Sequence, residues 1–262
     1  MTLTSRGLIS FIFLATALVG CGGGGGGGGG DQNAVTTTPT TSTTSGSGSS
    51  STSSESTNDE DDSDDSDKTA LMLADIANNV IVPAYESLAT KTAALSAATG
   101  VQSYCSALGG ADEASALESV KSLWSEASDA YAKTEVHSVG PADIDGAFRY
   151  RVSSYASAPL DKCGLDNSVV KQNDTDFSLA NRPANQRGLG AVEYLLFNTE
   201  LSHSCSPNTA PAGWNDLSES VRKSQRCEYA IELADDIDAA ADGIVDNWSE
   251  AGSNYIAEFT SE

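Results

Sequence analysis

An all-α helical bundle, preceded by a disordered tether, is what the sequence predicts, and three observations carry that prediction. Leu117, Val120, Trp124, Ala127 and Tyr131 recur at steps of three and four, which sets them on one face of a helix. Ala230, Leu233, Ile237, Ala241, Ile244 and Trp248 do the same near the C-terminus. No stretch alternates apolar and polar residues in the way a half-buried strand does.

Residues 1–20 have the form of a targeting segment. Arg6 supplies a positive start and Leu8 to Val19 an apolar core of about a dozen residues, short for a bilayer span. Leu18-Val19-Gly20-Cys21 resembles a bacterial lipobox, which implies cleavage before Cys21 and lipidation of that cysteine. Gly22 follows, not the aspartate associated with inner-membrane retention, so the expected location is the cell envelope, at the outer membrane.

Residues 21–67 are expected to form the tether. A glycine run, a Thr/Ser-rich stretch and an acidic run cannot bury enough apolar surface to offset the entropy of ordering the backbone. The acidic run lacks the glycine and spaced glutamate of a calcium-binding loop, so it reads as solvated, mutually repelling charge. The tether holds nine acidic residues and no basic one, yet residues 68–262 still carry 13 basic and 28 acidic residues, a net −15. That balance disfavours nucleic acid and anionic lipid as partners and is compatible with cations.

Residues 68–262 are long enough for one domain with its own core. Leu73, Ile76, Val80, Ala84, Leu88 and Leu95 step along a first helix from Thr69 to Ala98, with a kink expected at Pro83. The clean helix around Trp124 follows. Gly140-Pro141 and the aspartates after it open a third helix carrying Ile144, Phe148, Val152 and Tyr155. An irregular connection from Ala156 to Asn185 then leads into a short helix around Glu193, and the long C-terminal helix completes the bundle.

Cys105, Cys163, Cys205 and Cys227 are an even set in an exported domain, which points to two disulfides. Three pairings are possible and sequence alone does not choose between them. If successive helices run up, down and up, Cys163 returns to the end of the bundle that holds Cys105. Cys205 and Cys227 flank the start of the last helix. This topology favours Cys105–Cys163 and Cys205–Cys227. The rival reading, a four-thiolate zinc site, lacks any close Cys-x-x-Cys pair.

The most informative stretch is Arg187-Gly188-Leu189-Gly190-Ala191-Val192-Glu193-Tyr194-Leu195-Leu196-Phe197. Leu189, Val192, Leu195 and Leu196 share one helical face, and Glu193 is placed at its edge, near the packing seam. A carboxylate there needs a partner, either an arginine such as Arg187 or Arg182, or a metal ion. The stretch resembles the signature of the imelysin-like family of bacterial envelope proteins, Gly-x-His-x-x-Glu followed by an aromatic and two leucines. Gly188, Glu193, Tyr194, Leu195, Leu196 and Phe197 match it, and Gly190 stands in the histidine position. Asn79 to Tyr85, Val139-Gly140-Pro141, Cys163 to Asp166 and Arg226 to Trp248 extend the resemblance to the family's predicted lipoprotein branch. A second helical half, usual in the family, is expected to be absent.

That resemblance implies a helical bundle and a surface-tethered binding module, linked to metal or iron acquisition and to other envelope proteins of an uptake system. The ligand set expected for a divalent or ferric ion is Glu193 with His137 in place of the missing imidazole, and Glu135 or Asp143 nearby. His137 also reads as a helix C-terminal residue facing the dipole, and His203 as an exposed loop residue. A structural or adaptor lipoprotein is the alternative. A metallopeptidase needs several ligands and an open position, usually with histidine, and Gly190 weakens that reading. No nucleophile elbow or phosphate-binding loop is present in the sequence, so no catalytic residue is assigned.

Overall fold

The structure, a computed structural model, describes residues 62–143, 147–153 and 158–261. Cys21, the targeting segment and nearly all of the expected tether lie outside these residues, as do Ile144 and Tyr155. Nine α-helices are described: α1 (Asp62–Ile76), α2 (Val82–Ser96), α3 (Val101–Ala107), α4 (Glu113–Thr134), α5 (Ala147–Val152), α6 (Lys162–Lys171), α7 (Gly188–Phe197), α8 (Glu219–Trp248) and α9 (Tyr255–Phe259). No strand occurs among the described residues. None of their helices is long and apolar enough to cross a membrane.

The described residues of the first helix begin at Asp62, within the segment expected to be tether. Between α1 and α2 the chain stays helical but widens into a π-turn, Ala77–Ile81, just before Pro83. Proline has no N–H to give to the preceding turn and its ring crowds the carbonyl four residues back, and a π-turn absorbs both effects. The turn also shifts the phase of the helix. The buried line is Ala77, Ile81, Tyr85, Leu88, Thr92 and Leu95, while Ile76 and Val80, expected inside, are 37% and 46% exposed.

Helix α8 is the axis of the bundle. It packs against α2, α3, α5 and α7, and α2 in turn packs on α4. All six apolar residues assigned to its inner face, from Ala230 to Trp248, are 1% exposed or less. Alanines at 230, 234, 240 and 241 let neighbouring backbones approach closely. On α4, Val120, Ala127 and Tyr131 are buried, with Leu117 and Trp124 packed at the margin. Of the expected third helix, the described residues show α5, Ala147–Val152.

The region read as an irregular connection contains α6, capped by the Asp161 side chain accepting from the Gly164 N–H at 2.9 Å. Its inner face alternates apolar Leu165 and Val169 with buried Asp166 and Ser168, and this mixture hides the helical period. Trp214 anchors the loop after α7, its indole N–H donating to the Leu201 carbonyl at 2.9 Å. Gly140 has φ +55°, and the Tyr255 ring sits where a β-carbon would stand. Glycine is therefore required at the Gly140-Pro141 turn for α9 to dock, with Tyr255 and Phe259 edge-on to Trp248.

Both disulfides exist, with a different pairing from the one favoured by topology. Cys105 joins Cys227 and Cys163 joins Cys205, with Cα separations of 5.6 and 4.6 Å. The expected pairing assumed a full-length third helix that carries Cys163 back to Cys105. Instead α3 lies directly on α8, which brings Cys105 to Cys227. The loop bearing Cys205 folds over the start of α6.

Candidate functional site

Helix α7 starts at Gly188, whose φ of +76° is strained for any residue with a side chain. Arg187, just before it, donates from Nη2 to both Asp236 oxygens at 2.7 and 2.6 Å and from Nε at 3.1 Å. Arg151 of α5 approaches the same carboxylate at 2.8 Å. Asp236 thus ties α5 and the entry to α7 onto α8, and Arg187 is a framework residue that does not face Glu193.

Within α7, Gly188, Leu189, Ala191, Val192, Tyr194, Leu195 and Leu196 are all buried. The positions left outward are 190, 193 and 197, a spacing of three and four that makes one stripe. Gly190, Glu193 and Phe197 on that stripe, with Leu160, Lys162, Tyr194 and Asn198, line an open cleft of about 340 Å³. Glu193 is exposed, contrary to its expected place at the packing seam, because nearly the whole circumference of α7 is covered except this stripe. Neither an arginine nor a lysine pairs with it among the described residues.

Two aromatics form the walls. The Phe197 ring meets Trp124 edge-on at 5.7 Å, and the Trp124 indole N–H donates to the Leu189 carbonyl at 2.8 Å, fixing α7 on α4. The Tyr194 ring has Lys162 Nζ 5.8 Å from its centroid and the Arg226 guanidinium 5.2 Å away. Its hydroxyl turns inward and donates to Asp166 at 3.0–3.1 Å. Burial first, and then the Asp166 carboxylate, raise the Tyr194 pKa above its ordinary value, which keeps the hydroxyl a donor.

Behind the cleft lies a buried ion pair that sequence reasoning did not assign. Asp166 and Arg226 are 0% and 1% exposed and meet at 3.2 Å. Asp166 also accepts from the Ser204 N–H at 2.7 Å and its hydroxyl at 2.9 Å. Arg226 donates to the Glu200 carbonyl at 3.0 Å and lies 5.9 Å from the centre of the Trp214 ring. With these partners the carboxylate's lone pairs are well occupied, the condition under which a buried charge is tolerated. The Cys163–Cys205 bond holds the two segments of this network together, one residue from Lys162 and one from Ser204.

The expected metal ligands are not brought together. Asp143 pairs with Arg149 at 3.1 Å, and Glu135 is exposed in the 3₁₀ turn that ends α4. His137 lies in the same turn, with its backbone carbonyl accepting from the Tyr85 hydroxyl at 2.8 Å. Helix α4 meets α7 at Trp124, and the thirteen residues from there to His137 span roughly 20 Å of helix. No group of three or more His, Cys, Asp or Glu side chains able to hold a metal ion occurs among the described residues. His203 is part-buried, its Nδ1 enclosed without a hydrogen-bond partner, and its backbone N–H donates to Asn215.

No solved structure matches the chain. It is 28% identical over 174 residues to Iron-regulated protein A of Synechococcus elongatus (strain ATCC 33912 / PCC 7942 / FACHB-805), covering 66% of this chain and 39% of that protein. The chain therefore spans about two fifths of that relative's length. The family model described as Imelysin matches residues 81–262, from the π-turn through α9, and the chain belongs to the imelysin family.

Proposed function

We propose that this protein is a binding module of the cell envelope, tethered through Cys21, which serves iron or metal acquisition and uses the Glu193 cleft as its recognition site. One observation carries the reading: α7 is enclosed on every side except the stripe 190–193–197, and that stripe faces an open cleft. Its relation to an iron-regulated protein supports the link to iron. Among the described residues no side chains form a coordination set for a bare ion, and in this reading the metal is cargo that arrives with ligands of its own. Glu193 then contributes one carboxylate, and the fixed aromatics contribute shape. A hydrolytic metal site would need three converging ligands, and a metallopeptidase reading has none to rest on among the described residues.

Isothermal titration of ferric citrate into the mature protein tests this. Wild type is expected to bind saturably through one bond from the Glu193 carboxylate to the iron, and Glu193→Gln to weaken binding about tenfold or more because that bond is lost. Absence of binding to wild type, or equal binding to both proteins, would overturn the proposal.

A further inference from the structure

The cleft contains two opposite charges that do not neutralise each other. Lys162, the first residue of α6, and Glu193, on α7, line the same cleft, yet neither has an ion-pair partner among the described residues. Other charges on the domain do pair, as in Lys91–Glu126 and Lys223–Glu113, both at 2.8 Å. Between Lys162 and Glu193 the cleft keeps a gap of more than ion-pair length, floored by Tyr194 and Phe197 with Leu160 at the rim.

Both charges are also set on rigid supports. Lys162 precedes Cys163, which is bonded to Cys205, and its ammonium stands over the Tyr194 ring. That ring is held from below through its hydroxyl on Asp166. Glu193 belongs to a helix buried on all its other faces. The backbone beneath both charges is held before a ligand arrives, which limits the entropic cost of binding to ordering the two side chains.

Resting on the reading of this cleft as the recognition site, we infer that its ligand class is an amino-acid-type zwitterion with an apolar side chain. The ligand carboxylate meets Lys162 and its ammonium meets Glu193. Its side chain lies against Tyr194 and Phe197. A volume of about 340 Å³ is at the small end of organic-ligand sites, the size such a molecule needs. A dianionic ligand with no metal ion to bind Glu193 would be opposed there, and a simple cation would be opposed at Lys162.

Calorimetric titration of the mature protein with L-phenylalanine and L-leucine, alongside L-phenylalaninamide and 3-phenylpropanoate, tests the inference. The amide lacks the carboxylate and the propanoate lacks the ammonium. Wild type is expected to bind phenylalanine at least tenfold tighter than either analogue. Lys162→Met is expected to abolish the advantage over the amide while leaving the amide's own affinity unchanged or higher. Glu193→Gln is expected to do the same for the propanoate. Circular dichroism of both variants should superimpose on wild type, since both side chains are exposed. Failure of wild type to bind either amino acid, or equal affinity for phenylalanine and its two analogues, overturns the inference. If ferric citrate still binds in a Glu193-dependent way, the zwitterion falls alone and the recognition site stands. If neither probe binds, both readings fall.

Discussion

Asp166 and Glu193 are both neighbours of Tyr194, one through its hydroxyl and one along the chain, and the fold treats them in opposite ways. Asp166 has lost all contact with water and accepts hydrogen bonds from Arg226, Tyr194 and Ser204. Glu193 is exposed and unpaired among the described residues. The carboxylate in the family signature is the one left free, and a carboxylate outside it holds the site together. A buried ion fixes geometry but cannot meet a ligand, whereas an exposed one can, provided something else fixes its position. Tyr194 links the two roles, with its ring in the cleft and its hydroxyl in the network.

The largest effect that would sharpen this contrast is expected from Asp166→Asn. The change keeps the shape but leaves the Arg226 guanidinium buried without a counter-ion, and removing one member of a buried pair costs about 3–5 kcal/mol. Urea unfolding followed by circular dichroism would measure it. A loss below about 1 kcal/mol would mean that water reaches Arg226 and that the pair does not organise the cleft.

A somewhat smaller effect is expected from removing the bond beside that network. Cys163→Ser with Cys205→Ser opens a loop of sequence separation 42 and is expected to cost about 2–4 kcal/mol. The Cys105–Cys227 bond spans a separation of 122. By the loop-length dependence of disulfide stabilisation its loss should cost roughly 1 kcal/mol more, even though it lies away from the cleft. Non-reducing peptide mapping checks the pairing itself, and recovery of a Cys105–Cys163 peptide would restore the arrangement favoured by simple topology.

How much of this was legible in the sequence follows from where the signals are local. The inner faces of α4 and α8 are long, regular and apolar, so periodicity alone identifies them. The family signature marks α7 and the separate Val139-Gly140-Pro141 motif marks the turn, because each is contiguous in sequence. Upstream of Pro83 the same reasoning slipped by one residue, because a π-turn breaks the 3.6-residue period it assumes. Helix α6 escaped notice because Asp166 and Ser168 occupy half of its buried positions. The Asp166–Arg226 pair joins residues 60 apart, and either residue taken singly looks like surface. The cysteine pairing depended on where α3 docks along α8, which no local pattern around Cys105 reports. Glu193, expected at the packing seam, is exposed, since the apolar face of α7 gives no measure of how much of its circumference neighbours will cover.

The smallest effect is the one expected for Glu193→Gln on stability, and it breaks the comparison most directly if it fails. An arginine partner, the structural role open to this residue from sequence, would make the substitution cost about 1–3 kcal/mol by stranding a guanidinium. The structure removes that route, because Arg187 is committed to Asp236 and Arg182 lies against Phe177, 5.2 Å from its ring centre. An exposed side chain without such a partner changes stability by no more than about 0.5 kcal/mol when substituted. The domain is already strongly acidic, so removing one negative charge should, if anything, raise the unfolding midpoint slightly at low salt and have no effect at high salt. Thermal unfolding of the two proteins at both ionic strengths measures this. A marked destabilisation at either would place Glu193 with Asp166 among the structural carboxylates and leave the cleft without its anionic group.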